Sequence, residues 1–454
     1  MVMSTPSLDQ WCHDKLAHLN HLDCVKVQGV VSDINGILLE GLLPKARIGD
    51  LCTIRSHGKE TLAEVMGFTQ QKVLLSALGN LEGIAAGAEI TPHYVQHQIE
   101  CSDALLGSVL DGFGRCLSGE HAAFSLQSSR PTFPVINDAL APTQKPRISQ
   151  PLPTGLKAID GLMTLGEGQR VGVFAGAGCG KTTLLAELAR NMPCDVIVFG
   201  LIGERGRELR EFLDHELDEE LRARCVLVCS TSDKTSMERA RAASTATAIA
   251  EGFRAQGKRV LLLIDSLTRF ARAQRELGLA AGEPPGRGGF PPSVYTMLPR
   301  LVERAGNMEG AGSITALYTV LIEGDVIAGD PIADEVRSLL DGHIVLSRKL
   351  AEKNHYPAVD VLGSLSRIMT NVTDPHHQQA SGTLRNLLAA YKDIAMLIQL
   401  GEYEAGNHAL TDYAVEHYPA ILRYLQQGMS DPLEFSDILT QLQDITLYAP
   451  TDDH

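Results

Sequence analysis

AGAGCGKTTLL, residues 175–185, decides how the rest of the chain is read. It follows an apolar run, RVGVFAG (170–176), and passes directly into KTTLLAELAR (181–190), whose spacing predicts a helix. A glycine-rich turn between a buried strand and a helix start can direct its backbone N–H groups inward around phosphate oxygens. The helix N-terminus adds partial positive charge. Gly176, Gly178 and Gly180 permit the turn, and Ala177, Cys179 and Thr183 complete the wall. Lys181 supplies a cation for β- and γ-phosphates, and Thr182 a hydroxyl for Mg²⁺. The usual pattern begins with glycine; here that position is Ala175. Cys179 has two readings: a small residue that fits a tight turn, or a thiol made oxidisable by the helix N-terminus.

Two acids follow on later strands. Glu204 ends DVIVFGLIGE, at the carboxyl end where open α/β sheets place their chemistry. It is either an exposed loop charge or the carboxylate that orients an attacking water. Asp265 ends VLLLID, where a buried acid is costly unless it binds something, and Mg²⁺ is the usual reason. Three such elements in order are more specific than any one.

The runs RVGVFAG, CDVIVFGLIG, CVLVCSTS, RVLLLIDS and SITALYTVL are nearly continuous in apolar residues, as in a parallel sheet covered on both faces. KTTLLAELAR, ELREFLDHEL and SMERARAASTATAIAEGFRAQG supply helices between them. The expected fold class is α/β, with a RecA-like P-loop core over 99–375. Before it, 23–98 carries short apolar runs with turns, including Asn35-Gly36, and reads as a small β-barrel for oligomerisation. Residues 1–22 form a polar, helical segment. Residues 107–119 are turn-rich, and the proline-rich 134–155 runs over the core's surface. From 376 to 454 the pattern is helical, with Leu384, Leu387, Leu388, Tyr391, Ile394 and Ile398 on one stripe.

Composition bounds the rest. The 454 residues suffice for two or three domains, and 44% hydrophobic with 21% charged residues is ordinary for a soluble globular protein. A net charge of −15 disfavours a protein that coats nucleic-acid phosphates. No apolar run approaches the roughly 20 residues that span a bilayer. The N-terminus lacks a secretory apolar core, and nine cysteines form no C-x-x-C pair, so a reducing cytoplasm is expected. Two clusters, Cys12/His13/His18/His21/Cys24 and His93/His97/Cys101, match no tight zinc spacing and read as packing or exposed residues.

GVFAGAGCGKTTL, GLIGERGRE, LLLIDSLTRFARAQRE, GEPPGRGGFPPSVYTMLPRLVERAG, DPIADEVRSLLDGHIVLSR and NHYPAVDVLGSLSR resemble the ATPase of type III protein secretion systems, virulence branch. They are also similar to the flagellar export ATPase and to catalytic subunits of rotary ATP synthases. The resemblance implies ATP and Mg²⁺ at the loop, Glu204 as catalytic glutamate and Arg205 as a phosphate-site arginine. It makes Tyr356 the tyrosine that stacks on adenine, and Arg367 the arginine finger lent to a neighbour's nucleotide. One chain carrying both residues implies a homo-oligomeric ring with shared sites, and the resemblance makes that ring a hexamer. It further implies cytoplasmic placement at the inner membrane, with secretion chaperones and cargo docking on 376–454. Stator and stalk proteins and an export gate complete the expected partners, and no nucleic acid is expected. GEPPGRGGFPP (282–292) is a loop at the ring's opening or a fixed connection. Rival readings are a flagellar export ATPase, an RNA-dependent hexameric translocase, and a non-catalytic ring subunit; Glu204 argues against the last.

Overall fold

The structure is a computed structural model that describes residues 27–69, 71–126, 131–323, 329–406, 408–428 and 431–450. The segment 1–22 and the cluster from Cys12 to Cys24 lie outside them. The chain forms two compact units that divide after Gln96.

In the first unit, alternating apolar residues build six strands: Gly29–Asn35, Leu38–Leu42, Asp50–Ser56, Lys59–Thr69, Lys72–Ala77 and Glu89–Gln96. They close into a barrel in the order first, second, fifth, fourth, third, sixth. Asn35 is the last pair of the first hairpin, opposite Leu38, and Gly36 takes the positive φ of the turn. Leu39, Ile54, Val65, Leu75 and Ile90 fill the interior. His93 does not gather ligands: its Nε2 lies 2.7 Å from Thr53 Oγ1.

The second unit is built on a ten-stranded sheet. Its parallel centre runs Gly342–Leu346, Arg170–Ala175, Ser313–Leu321, Arg259–Asp265, Val196–Glu204, Cys225–Thr231. Five of these strands coincide with the apolar runs of the sequence. The sixth, Gly342–Leu346, is a short run inside DGHIVLSR that periodicity does not single out. The turn-rich stretch 107–119 adds two short strands, Val109–Leu110 and, at the sheet edge, Cys116–Ser118. ELREFLDHEL is not one regular helix: Gly206–Glu211 is α-helical, and Phe212–Glu216 is a π-turn. The wider turn seats Phe212 against Phe199, ring centroids 5.3 Å apart.

The helix Ser236–Ala255 lies against the sheet, and its small residues Ala242, Ala243, Ala246 and Ala250 allow close approach. Its buried Glu251 takes both Nη2 and Nε of Arg304, at 2.7 and 3.1 Å, and Arg304 Nη1 donates to Val135 O at 2.8 Å. A buried charge is tolerable only when paired in this way. The pair fixes the start of the proline-rich segment. Farther on, 282–292 is held by Glu283 accepting from Ser293 N at 3.1 Å and Tyr295 donating to Arg287 O at 2.9 Å.

The last helices are Pro375–Leu400, Ala409–Leu425 and Phe435–Thr446. They pack into the same apolar core as the phosphate-loop helix, through Leu384, Leu387, Ile421, Ile438 and Leu442. Leu388, Tyr391, Ile394 and Ile398 of the stripe are partly buried, whereas Met396, Leu397 and Leu400, off the stripe near the helix end, are 71%, 42% and 65% exposed. His377 is buried and donates through Nε2 to Gly161 O at 2.9 Å.

Leu384→Ala should cost roughly 2–5 kcal/mol, because it empties a fully buried site. Leu400→Ala should stay within about 0.5 kcal/mol. Denaturant unfolding of the two variants measures the contrast. His97 gives a pH test. Burial, then the charge of Arg241, pushes its pKa down to about 3, and it stays neutral against Phe113 O. The unfolded chain takes up that proton first, near the ordinary value of 6.5. Stability should therefore fall as pH drops from 6.5 towards 3, and His97→Gln should flatten part of that slope.

Candidate active site

The phosphate loop leaves the strand Arg170–Ala175 and enters the helix Lys181–Asn191. Gly178 and Gly180 sit at φ +78° and +79°, where a side chain would be strained. Gly180 caps the helix, and no side chain bonds to its first turn. The first N–H groups therefore face the loop mouth with the positive pole of the helix.

Asp265 and Glu204 end adjacent parallel strands, so their carboxylates arrive on one side of the loop. Lys181 Nζ is 2.6 Å from Asp265 Oδ1 and 3.7 Å from Glu204 Oε1. The three side chains are 13%, 7% and 15% exposed. Two carboxylates thus flank Lys181. The oxygens of Asp265, Thr182 and Glu204 are hard donors of the kind Mg²⁺ takes, and they fit that ion.

The sequence reading missed the residues that hold these acids. Arg269 Nη1 lies 2.8 Å from Glu204 Oε1, and Thr319 Oγ1 donates to Asp265 Oδ1 at 2.7 Å. Thr268 Oγ1 accepts from Leu321 N at 2.8 Å and ties the two strand ends together. A signal existed for Thr319: a hydroxyl inside an otherwise apolar run. Arg269 stands one residue beyond Thr268 in DSLTR, and only the fold turns it towards Glu204.

Tyr356 is half-buried and lines a cleft with Cys179, Gly180, Thr183, Leu346 and Gln427. An aromatic face and aliphatic walls suit a flat heterocycle. Gln427 fastens this wall: its N–H donates to Tyr356 O at 3.0 Å, and its side chain bridges Gly155 O and Lys157 N at 2.7 and 2.9 Å. Cys179 is 2% exposed, which agrees with a small residue fitted into a turn. Thr182, Glu204 and Asp265 also border a second cleft, with Leu185, Phe199 and Phe212.

Two residues stand apart. Arg205 is 80% exposed and pairs with Glu208 at 3.6 Å. Arg367 is exposed in an open hollow with Asp334, Arg337, Ser338 and His343, beside Asp341 at the start of the phosphate-loop strand rather than at its loop end. Burial, with Arg337 and Arg367 adding to it, holds the His343 imidazole below its ordinary pKa. Among the described residues no three or more histidines, cysteines or acids gather into a metal cage of their own. None of their helices is long and apolar enough to cross a membrane.

Three family models match the chain. They are the ATP synthase alpha/beta family β-barrel domain over 25–93, the nucleotide-binding domain of that family over 155–366, and the T3SS EscN ATPase C-terminal domain over 373–444. A type 3 secretion system ATPase of Pseudomonas syringae pv. tomato is 63% identical over 98% of this chain and 99% of its own. The chain belongs to the type 3 secretion system ATPases. The assembled ATPase EscN of enteropathogenic E. coli superposes with a TM-score of 0.86 at 44% identity, over 92% of this chain and 100% of that one. A flagellum-specific ATP synthase of Pseudomonas aeruginosa is 46% identical over 89% of this chain and 90% of its own, so the flagellar enzymes are close relatives. In this ATPase, Lys181, Glu204 and Asp265 all lie within the matched nucleotide-binding domain.

Arg269→Ala should leave Glu204 free to swing. Turnover should fall roughly tenfold or more while nucleotide affinity stays within about twofold, since the lost contact orients an acid rather than holding phosphate. Steady-state kinetics beside a fluorescent-nucleotide titration measure both.

Proposed function

We propose that this ATPase works as a homohexameric ring whose sites are shared between neighbours, and that its turnover energises type III protein secretion. The observation that carries the reading is a division of labour. Lys181, Glu204 and Asp265 converge within one protomer, whereas Arg367 stands exposed and away from them.

The phosphates of ATP draw Lys181 away from Asp265, to which it is paired at 2.6 Å. Asp265 and Thr182 would hold Mg²⁺ there, and the ion would supply charge neutralisation at the phosphate oxygens. The loop N–H groups from Gly176 to Thr183 bind the phosphates, and Tyr356 stacks on adenine. Glu204, steadied by Arg269, orients the water that attacks the γ-phosphate and receives its proton. Arg205 swings from Glu208 to the phosphates, and Arg367 of the adjoining protomer stabilises the charge that develops there.

Secretion chaperones and cargo dock on 376–454, where Met396, Leu397 and Leu400 are exposed apolar groups. The ring releases the chaperone and unfolds the cargo at an export gate on the cytoplasmic face of the inner membrane. EscN has been solved with its central stalk EscO, which supports a stalk protein here too. The 63% relative favours the secretion branch over the flagellar one, and membership in the family leaves the RNA translocase without support. The acid Glu204 favours an active subunit over a silent one.

ATPase activity against protein concentration tests the shared site. Activity per chain should rise steeply as the protein assembles. Arg367→Ala should keep ATP affinity and lose roughly 10³-fold or more in rate. Full turnover by monomers, or normal turnover by that variant, would defeat the proposal.

A further inference from the structure

Arg367 has a fixed base and a free tip. It follows the two-residue strand Leu365–Ser366, which pairs antiparallel with Gly342–Leu346. Its own N–H donates to Asp341 O at 2.9 Å. The preceding Ser366 donates to Thr164 O at 2.9 Å and accepts from Gln169 Nε2 at 3.1 Å. Its guanidinium, by contrast, makes one long contact, to Arg337 O at 3.5 Å.

The carbonyl that holds Arg367 belongs to a residue that is itself clamped. The Asp341 carboxylate accepts from Arg170 N at 3.1 Å, from Nε at 2.9 Å and from Nη2 at 2.9 Å. Arg170 also meets Glu303, which Lys145 pairs from its other side at 2.9 Å. Arg170 and Asp341 are 16% and 24% exposed, so water screens this fork less than it would at the surface. A two-residue strand cannot hold an arginine steady by its ladder alone; the fork makes up the difference.

We propose that Asp341, locked by Arg170, is the positioning residue that holds Arg367 in reach of the neighbouring protomer's nucleotide. The proposal rests on the shared-site reading above. Arg170 also opens the strand that ends at the phosphate loop. The fork lies at the opposite end of that strand from the loop, so its loss bears on the lent cation rather than on the cradle. Loss of the fork shifts the backbone at 341 and, with it, the tip of Arg367; a misplacement of about 1 Å can cost on the order of a hundredfold in rate.

The test is Asp341→Asn, which keeps the shape and removes the charge. kcat should fall about ten- to hundredfold with KM changed less than about twofold. Arg170→Lys, which keeps the charge and loses the fork, should follow it, and carries the test if Asp341→Asn does not fold. Mixed assembly separates positioning from general damage. Lys181→Ala protomers cannot turn over ATP but still lend a sound Arg367. Assembled with an excess of them, Asp341→Asn protomers should recover most of their turnover, and Arg367→Ala protomers should recover it in parallel. The proposal is overturned if Asp341→Asn keeps its kcat, or if its loss persists in mixtures that relieve Arg367→Ala. If the mixtures relieve neither variant, the shared site itself is wrong and this proposal falls with it.

Discussion

One cation between two carboxylates governs this molecule. Lys181 reaches Asp265 at 2.6 Å and Glu204 at 3.7 Å, in a place that water scarcely enters. Charges taken out of water are costly unless their partners are held in register. The register comes from the sheet. Phosphate-loop strand, acid strands and the Thr319 strand run parallel, so their functional residues emerge at one edge. A slip of one residue in any of them would turn an acid into the core.

The second layer of residues explains why the acids stay where the chemistry needs them. Glu204 is tethered by Arg269, and Asp265 by Thr319. Both carboxylates keep oxygens free for a phosphate-bound ion. The base side of the cleft is fastened by Gln427, which comes from the far end of the chain and holds the backbone of Tyr356. The terminal helices are therefore part of the nucleotide pocket's frame. Their inner leucines share its core, while the end of the Pro375–Leu400 helix is left apolar and exposed.

The design has a direction. Lys181, Glu204 and Asp265 converge inward within one protomer. Arg367, on the opposite sheet edge from the Cys225–Thr231 strand, faces out on a braced base. Stiffness at the root and freedom at the tip suit the role proposed for Arg367, reaching a neighbouring protomer.

The sequence alone determined the phosphate loop, because glycine spacing, lysine and helix pattern are local and each has its own chemical reason. It also determined five central strands, since burial on both faces leaves near-continuous apolar runs, and the hairpin at Gly36, since positive φ leaves a residue signature. Tertiary structure alone decided which charges meet. Arg269 lies 65 residues from Glu204, and Thr319 54 from Asp265. Nothing in local spacing orients them. It also decided the strand Gly342–Leu346, too short for a periodic signal, and the π-turn at Phe212, set by packing on Phe199. The physical reason is common to all of these: periodicity reports which face of an element is buried, whereas an ion pair depends on where two distant elements stop.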